Sequence, residues 1–221
     1  MKSLKLMAAT LLTGLFLVGC AGPSSFVDNT WSERPQNVKV VFAEPAIGNP
    51  DDLADDLPEF KDNFSDWYKA TWTANLDKAS HQKVAFTMEK VDASAISAET
   101  VKLGDKDFEA PKFAEMGSDA DVYLVINNAW LGRESEETQT VQGNLASESQ
   151  QAVPGSGVSI SNYFKAKCTY AFYDVKANKI VAYGAVEGKA QYQFAVSKGD
   201  WEFAVGDLVD KVVAKTPILP W

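Results

Sequence analysis

Histidine and cysteine are nearly absent from this 221-residue chain, which holds one of the first and two of the second. A lone His81 rules out an imidazole cluster. Cys20 and Cys168 are too few for the paired thiolates that zinc or iron–sulfur sites use. Long hydrophobic runs are missing too. No stretch of about eighteen apolar residues exists, so no segment reads as a membrane-spanning helix. There is no glycine-rich phosphate loop, because the strand-like run Val38 to Ala43 leads into Glu44-Pro45-Ala46. No Gly-x-Ser-x-Gly element is present, and Gly155-Ser156-Gly157 reads as a polar turn. Basic residues are outnumbered, 21 against 30 acidic, for a formal net charge of -9. Such a surface repels nucleic acid, and no basic stripe offsets it.

What is present suits one folded domain. Hydrophobic residues make up 46% of the chain, and six Trp, seven Tyr and twelve Phe can fill a substantial core. The amino terminus stands apart. Lys2 and Lys5 precede an uncharged run from Leu6 to Val18, too short to span a bilayer and patterned like the n- and h-regions of a secretory signal. The run closes on Leu17-Val18-Gly19-Cys20, which resembles the lipobox of bacterial lipoproteins. That resemblance implies a signal peptide over residues 1–19, thioether lipidation of Cys20 and acylation of the new amino terminus. Two kinds of anchor chain give stable attachment, because each buried methylene contributes about 0.8 kcal/mol. Ala21 and Gly22 follow the cysteine where an aspartate would mark the alternative, and this resembles the outer-membrane sorting pattern. The expected location is therefore the outer membrane, by lipid anchor, facing the periplasm. Removing Lys2 and Lys5 from the 21 basic residues leaves 19 against 30 acidic.

Residues 20–36, with Gly22, Pro23, Ser24, Ser25 and Pro35, read as the lipidated cysteine and a flexible tether. A periplasmic domain is expected over 37–216, with a tail at 217–221. Val38 to Ala43, Val84 to Met88 and Asp121 to Leu131 read as strands, and Tyr163 to Val175 with Lys179 to Ala190 as a hairpin turning at Asn178. Leu57, Phe60, Phe64, Trp67, Tyr68, Trp72 and Leu76 recur at helical spacing, and a second helix follows Gly199-Asp200. Pro111 reads as the start of a short helix. A long polar insertion occupies 132–162. The predicted fold is α+β: a single domain with a mixed β-sheet of about five strands and two main helices packed on one face.

The opening strand, the segment Gly117-Ser-Asp-Ala-Asp-Val-Tyr-Leu-Val125 and the stretch Tyr170-Ala-Phe-Tyr-Asp-Val-Lys-Ala-Asn-Lys-Ile-Val-Ala182 carry a remote resemblance. They look like the periplasmic α/β domain of curli-secretion channel lipoproteins, of lipoprotein activators of penicillin-binding proteins and of the TolB amino-terminal domain. The channel proteins insert amphipathic hairpins there. Residues 132–162 lack the sustained apolar alternation of a lipid-facing hairpin.

Four acids, Asp51, Asp52, Asp55 and Asp56, are the candidates for a divalent-ion site, although they lack the EF-hand order and read first as helix-start acids. Trp130, Glu134, Glu136 and Glu137 are the candidate partner-contact residues. Cys168 alternates with Phe164, Ala166, Tyr170 and Phe172 and reads as a buried small hydrophobe. No catalytic constellation and no cofactor are implied. The expected role is non-catalytic: a membrane-anchored binding or scaffold component of the cell envelope. Its partners would be membrane lipid, through acylated Cys20, and another envelope protein or cell-wall component. The alternatives are a subunit of an outer-membrane secretion or assembly complex, and a cell-wall hydrolase or transferase.

Overall fold

The computed structural model describes residues 24–141 and 156–218. Cys20 and its preceding Leu17, Val18 and Gly19 lie outside the described residues, as do Trp221 and the centre of the polar insertion. The elements in order are β1 (Ser25–Val27), β2 (Asn37–Phe42), β3 (Ala46–Ile47), α1 (Pro50–Asp56), α2 (Phe64–Ala79), β4 (Ala85–Lys90), β5 (Ile96–Leu103), β6 (Lys106–Phe113), β7 (Val122–Val141), β8 (Ser156–Asp174), β9 (Lys179–Tyr192) and α3 (Lys198–Ala214).

The main sheet runs β1-β9-β8-β7-β2-β4, with β3 paired to β7. β2 lies parallel to β4 and β7, while β7, β8, β9 and β1 alternate antiparallel. The expectation of about five strands and two main helices is corrected, among the described residues, to nine strands in two sheets and three α-helices. Three features account for the difference. Ser25–Val27, inside the expected tether, pairs with β9, and Trp31 behind it donates its indole N–H to Asp174 Oδ2 at 2.6 Å. The region read as irregular with a short helix at Pro111 is the β5–β6 hairpin, closed by Gly104-Asp105 with Gly104 at φ 62. Pro111, opposite Ala98, is tolerated because a two-stranded ribbon leaves every strand an outer edge that needs no N–H. Finally, the polar insertion is largely strand: β7 runs on to Val141 and β8 begins at Ser156.

α2 buries Phe64, Trp67, Tyr68, Trp72 and Leu76, and α3 buries Trp201, Ala204, Val205, Leu208, Val209, Val212 and Val213. Both pack on the face of the sheet that presents Val38, Val40, Phe42, Leu124, Ile126, Phe164, Ala166, Cys168, Tyr170 and Phe172. α3 is capped by Ser197, whose backbone N–H and hydroxyl donate to the carboxylate of Asp200 in the first turn at 2.8 and 2.7 Å. It crosses β9 at Gly188, where a Cβ would stand 2.1 Å from Ala204 O and 2.3 Å from the Leu208 nitrogen. The opposite face holds a second, smaller cluster in which Ile96, Ala110 and Phe113 of the hairpin cover Tyr123, Val125, Ala171, Tyr173 and Tyr183. The hairpin covers only part of that face. Further along β7, β8 and β9 the same face is polar.

Candidate contact surface

A bulge aims the side chains of this polar surface. β7 and β8 slip register between Asn127 and Trp130, and Asn128 takes φ 50, a left-handed conformation that Asn tolerates better than most residues. Asn127 O accepts the Thr169 hydroxyl at 3.1 Å, and Asn128 Nδ2 donates to the same hydroxyl oxygen at 3.3 Å. Before the bulge the odd-numbered residues Tyr123 and Val125 share the hairpin-covered face. After it the even-numbered residues do: Trp130 stands opposite Lys167, Gly132 opposite Lys165, Glu134 opposite Tyr163 and Glu136 opposite Ser161. On β9, Glu187 pairs with Lys167 and Lys189 with Lys165.

The result is a ladder of three lysines and three glutamates. Lys165 Nζ lies 3.1, 2.7 and 3.2 Å from carboxylate oxygens of Glu134, Glu136 and Glu187, and the residue is only 5% exposed. Lys167 pairs with Glu134 and, at 3.6 Å, with Glu187, while Lys189 reaches Glu136 at 3.1 Å. Burial alone would lower the Lys165 ammonium, but hydrogen bonds to Glu136 and Glu134 outweigh it and hold it above the usual lysine range. Burial raises Glu134, yet Lys167 and Lys165 bring it below its ordinary value; Lys165 does the same for Glu136. Lys167 Nζ sits 5.1 Å from the centre of the Trp130 ring and Lys189 Nζ 4.4 Å from that of Tyr163. The Trp130 indole lies over two glycines, since a Cβ at Gly132 or Gly48 would stand 2.6 or 2.8 Å from its Cζ2. The ladder is charge-balanced, half-buried and flanked by two aromatic rings.

Trp130, Glu134 and Glu136 thus meet on one surface. Glu137 does not join them: it faces the other way, opposite Ile160, which is 63% exposed. Beyond Tyr192, where β9 ends against Asn162, β7 and β8 continue as a two-stranded ribbon through Glu136–Val141 and Ser156–Ser161. Phe194, 96% exposed, follows just after the end of β9. Lys165, Lys167, Glu187 and Lys189 were missed in the sequence. Their signal was the alternation Phe164-Lys-Ala-Lys-Cys168, whose apolar face was read while its opposite face was not.

The four acids of α1 have another occupation. Both carboxylate oxygens of Asp56 receive Arg133 Nη2, at 2.9 and 2.8 Å, and Oδ2 also accepts Trp201 Nε1 at 3.0 Å. Asp52 lies 3.5 Å from Arg133 Nε and accepts Asn49 Nδ2 at 3.1 Å. The backbone N–H of Asp51 is capped by Asn49 Oδ1 at 3.2 Å, and Asp55 is exposed. Among the described residues no group of three or more His, Cys, Asp or Glu is placed to hold a metal ion.

The Cys168 thiol is fully buried, and burial pushes its pKa up, out of the nucleophilic range. His81 occupies a turn after α2 with φ 53. The Ser65 hydroxyl lies between a carboxylate and a lysine. Ser65, in the first turn of α2, donates to Glu44 and accepts from Lys90 at 3.0 Å. Burial raises Glu44, but Lys90 and Ser65 bring it below its ordinary value, and Lys90 forms an ion pair with it. A carboxylate so stabilised is a poor general base. Among the described residues, no helix is long and apolar enough to cross a membrane.

No protein-family description matches the chain, and no curated protein matches it. Among solved structures it is similar to a neuraminyllactose-binding hemagglutinin homologue from Helicobacter pylori, at 12% identity and TM-score 0.36, over 82% of each chain. It is also similar to the PelC dodecamer from Paraburkholderia phytofirmans, at 13% identity and TM-score 0.37, over 89% of this chain and 95% of that one. A minor lipoprotein from Acinetobacter baumannii is similar at 11% identity and TM-score 0.29, over 81% and 90%. These likenesses are too loose to carry a family or an activity over to this chain.

Proposed function

We propose that this chain is a lipoprotein of the bacterial outer membrane, anchored through acylated Cys20 and facing the periplasm, whose domain binds or scaffolds another envelope component without catalysing a reaction. The supporting observation is the surface that joins Trp130, Glu134 and Glu136 to the Lys165–Lys167–Lys189 ladder beside the β7–β8 ribbon. The hairpin that covers the rest of this face leaves this part open, and the ribbon carries it outward. Crosslinking through a photoreactive residue at Trp130 in intact cells, followed by pull-down, tests the reading. One or a few discrete adducts are expected, lost when Glu134 and Glu136 are both changed to Lys. A protein that yields no adduct under any growth condition overturns it.

Membership in an oligomeric secretion or assembly complex is a second reading, favoured by the ribbon. Both of its outer edges have unpaired backbone groups among the described residues, the arrangement that recruits another strand. Detergent extracts of the membrane-bound protein then run as a symmetric ring rather than a single copy.

A further inference from the structure

Ser24, the first described residue, is fixed in place by the sheet. Ala185 donates its N–H to Ser24 O at 2.9 Å, and Ser25 pairs with Gly184. Gly184 has to be glycine for this approach, because a Cβ there would stand 2.5 Å from Ser24 O. The position of Ser24 is therefore set by β-pairing. Four peptide units separate Ser24 from Cys20, a reach of at most about 14 Å at roughly 3.5 Å per residue. An acyl anchor at Cys20 holds this side of the domain close to the membrane.

The surface at that point has a distinctive make-up. A groove of about 480 Å³ is lined by Ser24, Ala185 and Val186 together with Lys211, Lys215 and two members of the ladder, Lys167 and Glu187. Lys211 stretches its aliphatic stem along the groove to donate to Glu187 O and Asp207 Oδ2, both at 2.8 Å. Lys215, just after the end of α3, is exposed. Lysines of this kind lay their methylenes on apolar surface and hold the ammonium at its rim, as lysines do at a lipid interface. The chain as a whole is strongly acidic, so an anionic lipid surface repels it in most orientations and accepts it where lysines outnumber acids.

We propose that the face formed by Ser24, Ala185, Val186 and the carboxyl-terminal end of α3 rests on an anionic phospholipid surface, with Lys211 and Lys215 among the headgroups. The proposal rests on the Cys20 anchor. It fixes the orientation of the domain on the membrane, which the anchor alone leaves free.

The test uses the full chain purified from membranes, with a fluorophore attached at Ala214→Cys, exposed beside Lys215, or, as the comparison, at Asp105→Cys. Cys168 is buried and does not label. Asp105 lies exposed in the turn of the β5–β6 hairpin, on the face of the sheet opposite α3. The protein is reconstituted into vesicles of phosphatidylethanolamine and phosphatidylglycerol that carry a quencher lipid. Strong quenching at position 214 and little at 105 is expected. Replacing phosphatidylglycerol with phosphatidylcholine should lower the face-down population about fivefold for each lysine near the surface. Vesicle-bound protein quenched equally at both positions, or more at 105, overturns the proposed face while leaving the anchor standing. Protein that does not float with the vesicles and has an unmodified amino terminus by mass overturns the anchor, and the face with it.

Discussion

Asp56 shows how one side chain can join separate parts of a fold. It sits at the last position of α1, its carboxylate is nearly buried, and it receives both Arg133 of β7 and the indole N–H of Trp201 in α3. Asp56→Ala leaves the indole donor without its acceptor and the guanidinium with only Asp52, 3.5 Å away. The expected loss is about 2–4 kcal/mol by urea denaturation, towards the low end because Arg133 keeps some access to water. Asp56→Asn, which retains one acceptor, should lose clearly less. Equal losses from the two variants would show that the carboxylate's charge, not its geometry, carries the contact. Gly188 is a site of the opposite kind, where an added methyl meets backbone. Since backbone atoms of α3 cannot rotate out of the way, Gly188→Ala should cost about 3 kcal/mol or more, and the melting temperature measures it.

At the scale of elements, the bulge in β7 decides what the polar face contains. A strand of the same sequence paired without the slip would turn Glu134 and Glu136 towards the helices and Arg133 away from Asp56; deleting Asn128 instead removes the extra residue and keeps Trp130 opposite Lys167, so all three hold their faces. That variant should still unfold cooperatively in urea and keep the Trp130 crosslinks, whereas replacing residues 137–160 with a two-residue Asn-Gly turn should leave the unfolding midpoint nearly unchanged and abolish the crosslinks. These elements were unequally legible in the sequence. The α2 stripe and the apolar strands announced themselves because buried faces repeat at 3.6 or 2 residues. The β5–β6 hairpin did not, because its outer face is charged and Pro111 suggested a helix start, although Leu103-Gly-Asp-Lys106 is the spacing of a two-residue turn. Trp130, Glu134 and Glu136 share a face, and Glu137 takes the other, by the two-residue alternation of β7 beyond the bulge; the inserted residue decides only which face of the sheet that is. The alternation was hidden because the polar composition of residues 132–162 carries no apolar stripe to mark a strand.

For the whole molecule, the carboxylates set how stability depends on pH. Hydrogen bonds from the hydroxyls of Thr30 and Tyr123 are the foremost cause that brings Asp28 and Asp119 from 3.8 down to about 2, with Lys179 and Lys39 adding to it. Glu134, Glu136 and Asp174 are lowered as well. A carboxyl whose folded pKa lies below its unfolded value binds fewer protons when folded. Its stabilisation is complete above the unfolded pKa and disappears as pH falls through the folded one. The urea midpoint should therefore be flat from about pH 6 to 5, then fall between roughly pH 4 and pH 2. A second effect opposes this, because acid also removes the repulsion of a chain with a net charge of -9. The two are separable by salt. At about 0.5 M salt the screening length shrinks to a few ångströms, which suppresses the diffuse repulsion but spares hydrogen-bonded pairs at contact distance. The acid slope should then persist in high salt and become shallower in Asp119→Asn, which cannot change its charge in that window. A midpoint that stays level to pH 2 in high salt would mean that the unfolded chain holds these carboxylates as tightly as the fold does, and that the ion pairs on both faces of the sheet contribute position rather than stability.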